Sequence, residues 1–463
     1  MEGFFNVKRK ILIVGLGYRS GLSAANFLAA KGHDVEVSDT KSATDLSHIV
    51  GQLDRSVVVH AQNQDPSLLD RAFDCIVLSP GVPARIALVQ ESRARGIPVI
   101  SEIELAFQFL KGLTIGITGT DGKSTTTALT THMLRELGLD ARMGGNIGIP
   151  LVTLADTTTD DSVTVIELSS YQLETIDTFR PDAAAFTNLT PDHLDRYNSL
   201  DDYFNAKMRV VSNQTADDFF IYNLDDERVA RGAGTVRSHG KSFSLEREAD
   251  SFFRDGIIYL RIGDGVKPVL AAKDLFIMGI HNVQNVMTAL LLSQSIFEKR
   301  KETFPLEKAA AAAKSFPGLS HRMERLGEVK GRLFINDSKA TTVGAVEMAI
   351  KSLDRPGVFI IGGRAKGDDY SRLAASMKDK VRAVVLIGET KEEFSKLFSS
   401  FVMRTATTLD DAVNASIELS REGDAIVLSP ACASFDMFTS FEDRGDKFRE
   451  SVERLKTGAV HGS

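Results

Sequence analysis

The alternation of short β-branched runs with helix-like segments constrains this chain more than any other feature. Strand–helix–strand order lays successive strands parallel in one sheet. "KILIVGLGY" opens a first unit, Leu22, Ala25, Leu28 and Ala29 mark one helical face, Gly32 stops the helix, and "DVEVSD" resumes as a strand. A second block starts near Leu113 with "LTIGIT" and runs through "SVTVIELSS", "AAAFTNL" and "DFFIYNLDD" to the helix-like "HNVQNVMTALLLSQSIF". "AAAAAKSFPGLSHR", broken at Pro317 and Gly318, reads as a linker, and "LFIND", "VFIIGG", "AVVLIG" and "DAIVLSP" are the strands of a third block. At about 150 residues per domain, 463 residues correspond to three α/β domains. These are a Rossmann-like N-terminal domain over 1–111, a central domain of the P-loop ATPase type with a mostly parallel sheet over 112–317, and a Rossmann-like C-terminal domain over 318–463.

Composition removes several classes. With 43% hydrophobic and 25% charged residues and no apolar run of membrane-spanning length, the chain reads as a soluble globular protein without a membrane span. "MEGFFNVKRK" leads into a strand without the apolar region of a signal peptide, so a cytoplasmic location is expected. Only Cys75 and Cys432 are present, far apart, which offers neither a disulfide framework nor a cysteine metal site. The net charge of -7 is dispersed, and no basic stripe calls for nucleic acid.

"GITGTDGKSTTT" joins an apolar strand to a helix. In such a turn glycines let backbone N–H groups converge on an anion, a lysine reaches terminal phosphates, and a hydroxyl binds Mg²⁺. Gly119, Thr120, Asp121, Gly122, Lys123, Ser124 and Thr125 supply these parts, although Gly119 stands three positions before Gly122 rather than the usual five. A Gly-Lys-Ser run also occurs as an ordinary helix start. Further on, Glu167 ends an apolar strand, "TNLTPDHLDRY" carries Asp192, His193 and Asp195, and "FNAKMRV" carries Lys207. Mg²⁺ prefers oxygen ligands and substrate phosphates, so the loop hydroxyl and Glu167 suit an ATP site. A lysine in that company is harder to explain.

The first block has its own glycine loop, "GLGYRSG", with Gly15, Gly17 and Gly21 and with Asp39 ending the next strand. A nicotinamide dinucleotide site is one reading of this pattern. Glycines that merely allow tight helix–sheet packing are another.

Taken in order, "TGTDGKST", "GGNIG", "ELSSYQLE", "DHLDRY", "AKMR", "HNVQN", "HRMERL", "INDSKAT", "GGRAKG", "LSPACASFDMF" and "FEDRGDKF" resemble the motifs of the Mur ligases, ATP-dependent amino-acid ligases of peptidoglycan synthesis, almost end to end. "NDSKAT" and "SPACASFD" are similar to those of the D-glutamate-adding branch. The resemblance implies a cytoplasmic step of cell-wall precursor synthesis, supporting cell shape and division, in which a monomeric enzyme joins D-glutamate to UDP-N-acetylmuramoyl-L-alanine. It implies that Lys207 is carbamylated by CO₂, and that two Mg²⁺ ions are held by Thr125, Glu167, His193 and the modified Lys207. Lys123, Glu167, His193, Lys207 and Lys339 become the catalytic set. Asn282 and Asn285 meet the adenine, and Arg322 and Asp337 the ribose and phosphates. Gly17, Tyr18, Arg19, Asp39, Thr40, Lys41, Ser79 and Gly81 hold the UDP, and Asn146 and His193 the muramoyl-alanine end. Thr341, Lys366, Ser434, Phe435 and Phe441 hold D-glutamate. The sequence departs from the family at the first glycine loop, which is one residue longer, at Arg364 and Ala365, where an acidic residue is common, and at Thr342, where asparagine is.

The reaction expected from the resemblance is transfer of the ATP γ-phosphoryl group to the substrate carboxylate, followed by attack of the D-glutamate amine on the acyl phosphate through a tetrahedral intermediate. Another Mur-type or folylpolyglutamate-type ligase is the alternative within this chemistry. A nicotinamide dehydrogenase and a non-catalytic nucleotide-sugar sensor are the alternatives outside it.

Overall fold

The computed structural model describes residues 1, 3–192 and 196–457, and His193 and Asp195 lie outside the described residues. The chain forms two compact units, one of residues 1–274 and 283–314, the other of residues 275–282 and 315–463.

The first unit holds two sheets. Five parallel strands, Lys10–Val14, Asp34–Asp39, Val58–Ala61, Cys75–Leu78 and Val99–Ser101, are ordered 3-2-1-4-5. The order reverses direction at the first strand, and the crevice at such a reversal is where open α/β sheets bind ligands. Ile11, Leu12, Ile13 and Val14 are fully buried, as expected for a central parallel strand covered on both faces. The expected helix runs Ser20–Ala30 and buries Leu22, Ala25 and Leu28, with Ala29 at the edge of that face. It stops at Gly32, whose φ of +85° suits a residue without Cβ.

The second sheet has nine strands, with Leu113–Thr118 between Val163–Glu167 and Ala183–Phe186. Parallel pairing extends from Ala141–Gly145 at one edge to Ser251–Arg254. Ile257–Ile262 and Gly265–Ala271 then close the other edge as an antiparallel hairpin, which the strand–helix rhythm did not foretell.

The second unit has a six-stranded sheet in which Arg332–Asn336, Ala425–Leu428, Gly357–Gly362, Val381–Ile387 and Val402–Thr405 are parallel neighbours, with Glu324–Val329 antiparallel at one edge. Helix Leu306–Ser315 ends just before Pro317, where the linker was expected. Among the described residues no helix is long and apolar enough to cross a membrane.

Candidate active site

The loop after strand Leu113–Thr118 is built for backbone convergence. Gly119 has φ +140°, and a Cβ there would lie 1.9 Å from the Thr187 hydroxyl oxygen. Gly122, at φ +80°, opens helix Lys123–Glu136, and its Cβ would lie 2.5 Å from Asn285 Oδ1. Only glycine fits either position without movement. The neighbouring strand end braces the loop: Thr120 N donates to Asn188 O at 2.9 Å, Asp121 N to Asn188 Oδ1 at 2.8 Å, and Thr187 Oγ1 to Asp121 O at 2.7 Å. Lys123 Nζ donates to the carbonyls of Gly119 (3.0 Å) and Thr120 (2.6 Å), so the ammonium is folded over the turn. Ser124 is buried and Thr125 half-buried in the first helical turn, where helix N–H groups favour an anion.

Glu167 ends the adjacent strand, in register with Ile117. Its Oε1 accepts Asn146 Nδ2 at 2.6 Å, while Oε2 is buried with no hydrogen-bond partner. Lys207, on helix Leu200–Met208, is only 1% exposed. Its Nζ donates to Gly119 O at 2.6 Å and lies 4.4 Å from the centre of the Tyr203 ring. Burial, reinforced by the Lys123 charge, pulls the Lys207 ammonium down to about 6 against the opposing pull of Asp192, Asp121 and Glu167. The Gly119 carbonyl thus joins both lysines to one turn.

In the first sheet, Gly15 (φ +95°) would place a Cβ 2.6 Å from Val82, and a Cβ on Gly21 would meet the Gly15 carbonyl at 2.3 Å. These two glycines serve close packing. Gly17 faces open space. Both Asp39 oxygens are engaged by backbone, Oδ2 by Leu16 N at 2.7 Å and Oδ1 by Lys41 N at 2.9 Å, and the Ser79 hydroxyl donates to Gly15 O at 2.6 Å. Asp39 and Ser79 therefore shape the loop. Thr40, Lys41 and Gly81 are exposed beside it, Tyr18 is exposed with its ring stacked on His48, and Arg19 donates to Gly148 O in the loop that follows Asn146.

In the second unit, the loops after Asn336, Leu428 and Gly362 gather at one edge because their strands are parallel neighbours. Asp337 is buried, accepting Met323 N (3.1 Å) and the Ser429 hydroxyl (2.9 Å), and burial pushes its carboxyl up to about 7 against the pull of these bonds and of Arg322. Lys366 Nζ donates to Thr341 Oγ1 at 2.8 Å, and Lys339 Nζ lies 5.3 Å from the centre of the Phe441 ring. Ser434 is buried, Phe435 is exposed, and Arg364 forms a surface pair with Glu389. Asn282 Nδ2 donates to Met278 O at 2.6 Å, and in the first unit Asn285 Oδ1 accepts the Thr126 hydroxyl at 3.1 Å.

Three stretches match the N-terminal, middle and glutamate-ligase domains of one family: residues 9–101 the Mur ligase MurD-like N-terminal domain, 117–293 the Mur ligase middle domain, and 321–432 the Mur ligase glutamate ligase domain. The UDP-N-acetylmuramoylalanine--D-glutamate ligase of Geotalea daltonii is 40% identical over 97% of this chain and 98% of its own length. The chain belongs to the Mur ligase family. The like-named protein of Koribacter versatilis is 38% identical over 96% of this chain and 98% of its own. In fold, this Mur ligase is similar to the UDP-N-acetylmuramate-alanine ligase of Thermotoga maritima (TM-score 0.59, 18% identity, 97% and 100% of the two chains). It is also similar to an Acinetobacter baumannii MurF structure (TM-score 0.60, 15% identity, 95% and 93%).

A Mur ligase residue absent from the expected site set is Arg444. It is wholly buried on helix Phe441–Thr457, and its guanidinium donates to Ser338 Oγ (3.0 Å), Ser338 O (2.8 Å), Cys432 O (3.2 Å for both Nη atoms) and Ala433 O (3.4 Å). It ties the Ser338–Thr341 loop to the Cys432–Ser434 loop. The available signal was spacing: Arg444 shares the helical face of Phe448 and Val452, where a cation is out of place unless it has a task. Among the described residues of this Mur ligase no cluster of three or more His, Cys, Asp or Glu could hold a metal. The buried, unpartnered Glu167 Oε2 and the half-buried Thr125 nevertheless suit a hard cation that takes its other oxygens from phosphate.

Proposed function

We propose that this Mur ligase joins D-glutamate to UDP-N-acetylmuramoyl-L-alanine, the two substrates in the names of its relatives, with conversion of ATP to ADP and phosphate. The observation that carries the reading is the buried Lys207 amine bonded to Gly119 O within the Lys123 loop, beside an open Glu167 oxygen. A nicotinamide reading would leave the Lys123 loop and the buried Lys207 without a task. Under this assignment residues 1–111 take the UDP-sugar, 112–317 ATP, and 318–463 D-glutamate, in a monomer working in the cytoplasm.

A carboxylate is a poor electrophile, so the alanyl carboxylate first attacks the γ-phosphorus. The P–O bond to ADP breaks, and an acyl phosphate results. Phosphoryl transfer is chiefly positioning and charge neutralisation. Gly119 to Gly122 offer backbone N–H groups, and Lys123 turns from its loop carbonyls to the terminal phosphates. Lys207 is mostly neutral at pH 7 with its pKa near 6, and only the neutral amine adds CO₂, losing one proton as the carbamate forms. Thr125, Glu167, His193 and the carbamate of Lys207 would hold two Mg²⁺ ions, which spread the phosphate charge. Asn146, fixed by Glu167, orients the muramoyl-alanine end.

The D-glutamate amine then attacks the acyl carbon, and the tetrahedral intermediate expels inorganic phosphate as the amine sheds its proton. Lys366 and Thr341 suit a side-chain carboxylate, Ser434, Phe435 and Phe441 line the rest, and Lys339 lies near the transferred group. Arg322 and Asp337 face the ATP ribose and phosphates, with Asn282 and Asn285 at the adenine. Turnover needs residues of both units. The test is ADP release with UDP-N-acetylmuramoyl-L-alanine and either D- or L-glutamate. The D-isomer should drive release, and release with neither isomer, or equally with both, overturns the assignment.

A further inference from the structure

Glu174 lies outside the catalytic and binding sets. It caps the short helix Ser170–Leu173 that follows the Glu167 strand. Its carboxylate accepts Arg196 Nη2 at 2.8 Å, Arg196 Nε at 3.3 Å and the Tyr197 hydroxyl at 2.6 Å. The pair is shielded, with side-chain exposures of 14% for Arg196 and 20% for Glu174, so solvent weakens it less than a surface ion pair.

From this carboxylate a line of contacts leads to the site. Arg196 lies 3.8 Å over the Tyr171 ring, and Tyr171 stacks on Tyr197 at 6.2 Å. Tyr197 packs on Tyr203 at 5.3 Å, and Tyr203 is the ring against which Lys207 Nζ sits at 4.4 Å. Arg209 adds a parallel brace from the Lys207 helix, donating to Leu173 O and Ile176 O at 2.7 Å each. The segment bearing Glu167 and the helix bearing Lys207 are thus cross-linked, and Tyr203 also hydrogen-bonds Thr120 of the 119–122 loop.

We infer that Glu174 is a positioning residue: by fixing Tyr197 it fixes the Tyr203 wall that holds Lys207 at the Gly119 carbonyl, where the amine can be modified and kept. The inference rests on the reading that Lys207 forms a carbamate. Glu174→Ala frees both Arg196 and the Tyr197 hydroxyl, whereas Glu174→Gln retains an acceptor for Tyr197 and gives up the ion pair.

The experiment titrates bicarbonate against D-glutamate-dependent phosphate release in the full chain, and follows the lysine carbamate directly by NMR with carbon-13 bicarbonate. In Glu174→Ala the half-saturating bicarbonate concentration should rise by about tenfold, the scale typical of a residue that orients a ligand. The carbamate signal at matched bicarbonate should fall, and the KM for D-glutamate should stay within about twofold of wild type. Glu174→Gln should fall between the two, and it supplies the readout if the alanine variant does not fold. Unchanged half-saturation and carbamate signal in the folded variants overturn the inference, whatever happens to kcat. Wild-type protein with neither bicarbonate dependence nor a carbamate signal would defeat the carbamate reading itself, and this inference with it; that failure is visible before any variant is compared.

Discussion

Arg444→Met is the most informative single substitution in the second unit. The guanidinium makes five donor contacts at 2.8 to 3.4 Å to groups of Ser338, Cys432 and Ala433, and none of the acceptors is a carboxylate. Burial lowers its pKa only to about 10, so the group remains a cation at neutral pH. Methionine fills similar space but leaves the Ser338 and Cys432 carbonyls without this donor, whereas Ala433 O keeps Arg364 N at 2.9 Å and the Ser338 hydroxyl keeps Phe441 O at 2.8 Å. Unsatisfied buried acceptors cost about 1–3 kcal/mol each, so the two carbonyls that lose their donor put the loss at roughly 2–5 kcal/mol. For a unit of this size, about 2–4 °C is lost per kcal/mol, which puts the fall in melting temperature near 10 °C. Arg444→Lys keeps the charge but has three donors on one atom and cannot fork between two loops. It should lose less stability while raising the KM for D-glutamate by about tenfold, since Ser434 and Thr341 sit on the two tied loops. Differential scanning calorimetry and steady-state kinetics check both. A methionine variant that melts within about 2 °C of wild type, or a lysine variant with an unchanged KM, refutes the clamp.

Other perturbations have equally definite signs. Gly122→Ala forces φ +80° on a residue with a Cβ and drives that Cβ to 2.5 Å from Asn285 Oδ1, so the KM for ATP should rise about tenfold; Gly138→Ala, also strained at φ +89° but in open space, should lose stability without changing it. Lys207→Met removes a group whose folded-state pKa is lowered from 10.5 to about 6. In CO₂-free buffer wild-type stability should therefore climb from pH 6 toward 10.5 by up to about 1.4 kcal/mol per pH unit, a slope that urea titrations of the methionine variant should lack, and the variant should release no phosphate. Burial works to raise the Glu36 carboxyl, but hydrogen bonds from Arg71, His60 and Lys10 outweigh it and hold the group at about 2 against an ordinary 4.5. The stability this supplies is intact above pH 4.5 and lost as pH falls toward 2, so Glu36→Gln should flatten that acid limb by about 1–2 kcal/mol after allowance for the exposed Arg71.

What sequence revealed, and what it did not, divides along the range of the physics. Strands such as Lys10–Val14 and Gly357–Gly362 were legible because covered parallel strands are unbroken apolar runs, and Gly119 and Gly122 because the turn needs conformations open to glycine. The order of motifs gave the family, and hence the grouping of Thr341 with Lys366, which the structure joins at 2.8 Å. The bracing of Asp39 by the N–H groups of Leu16 and Lys41 was not legible, because a backbone donor leaves no trace in side-chain pattern. The hairpin Ile257–Ala271 was missed because its strands lie at a sheet edge, where burial is partial and the apolar signal thins. Arg444 and Glu174 were missed because their partners come from distant segments, and periodicity records a residue's own face rather than what meets it.

The two lysines at the Gly119 carbonyl bear on why the second is a lysine at all. Two permanent cations on one loop would repel each other and would both be free to grip phosphate. Only Lys123 is placed for that task, at the start of a helix and half-buried. Lys207 is enclosed by its helix and Tyr203, and enclosure together with the Lys123 charge shifts it toward the neutral amine. Arginine could not discharge there, and methionine could not react. A neutral primary amine within the influence of the Glu167 carboxylate is of little use to an anionic substrate as it stands, but under the proposed carbamate its conversion to an oxyanion would add a hard ligand to Glu167 and Thr125. On the proposed carbamate reading the low pKa is the condition for making a ligand, and bicarbonate concentration is then the variable to which this site should answer.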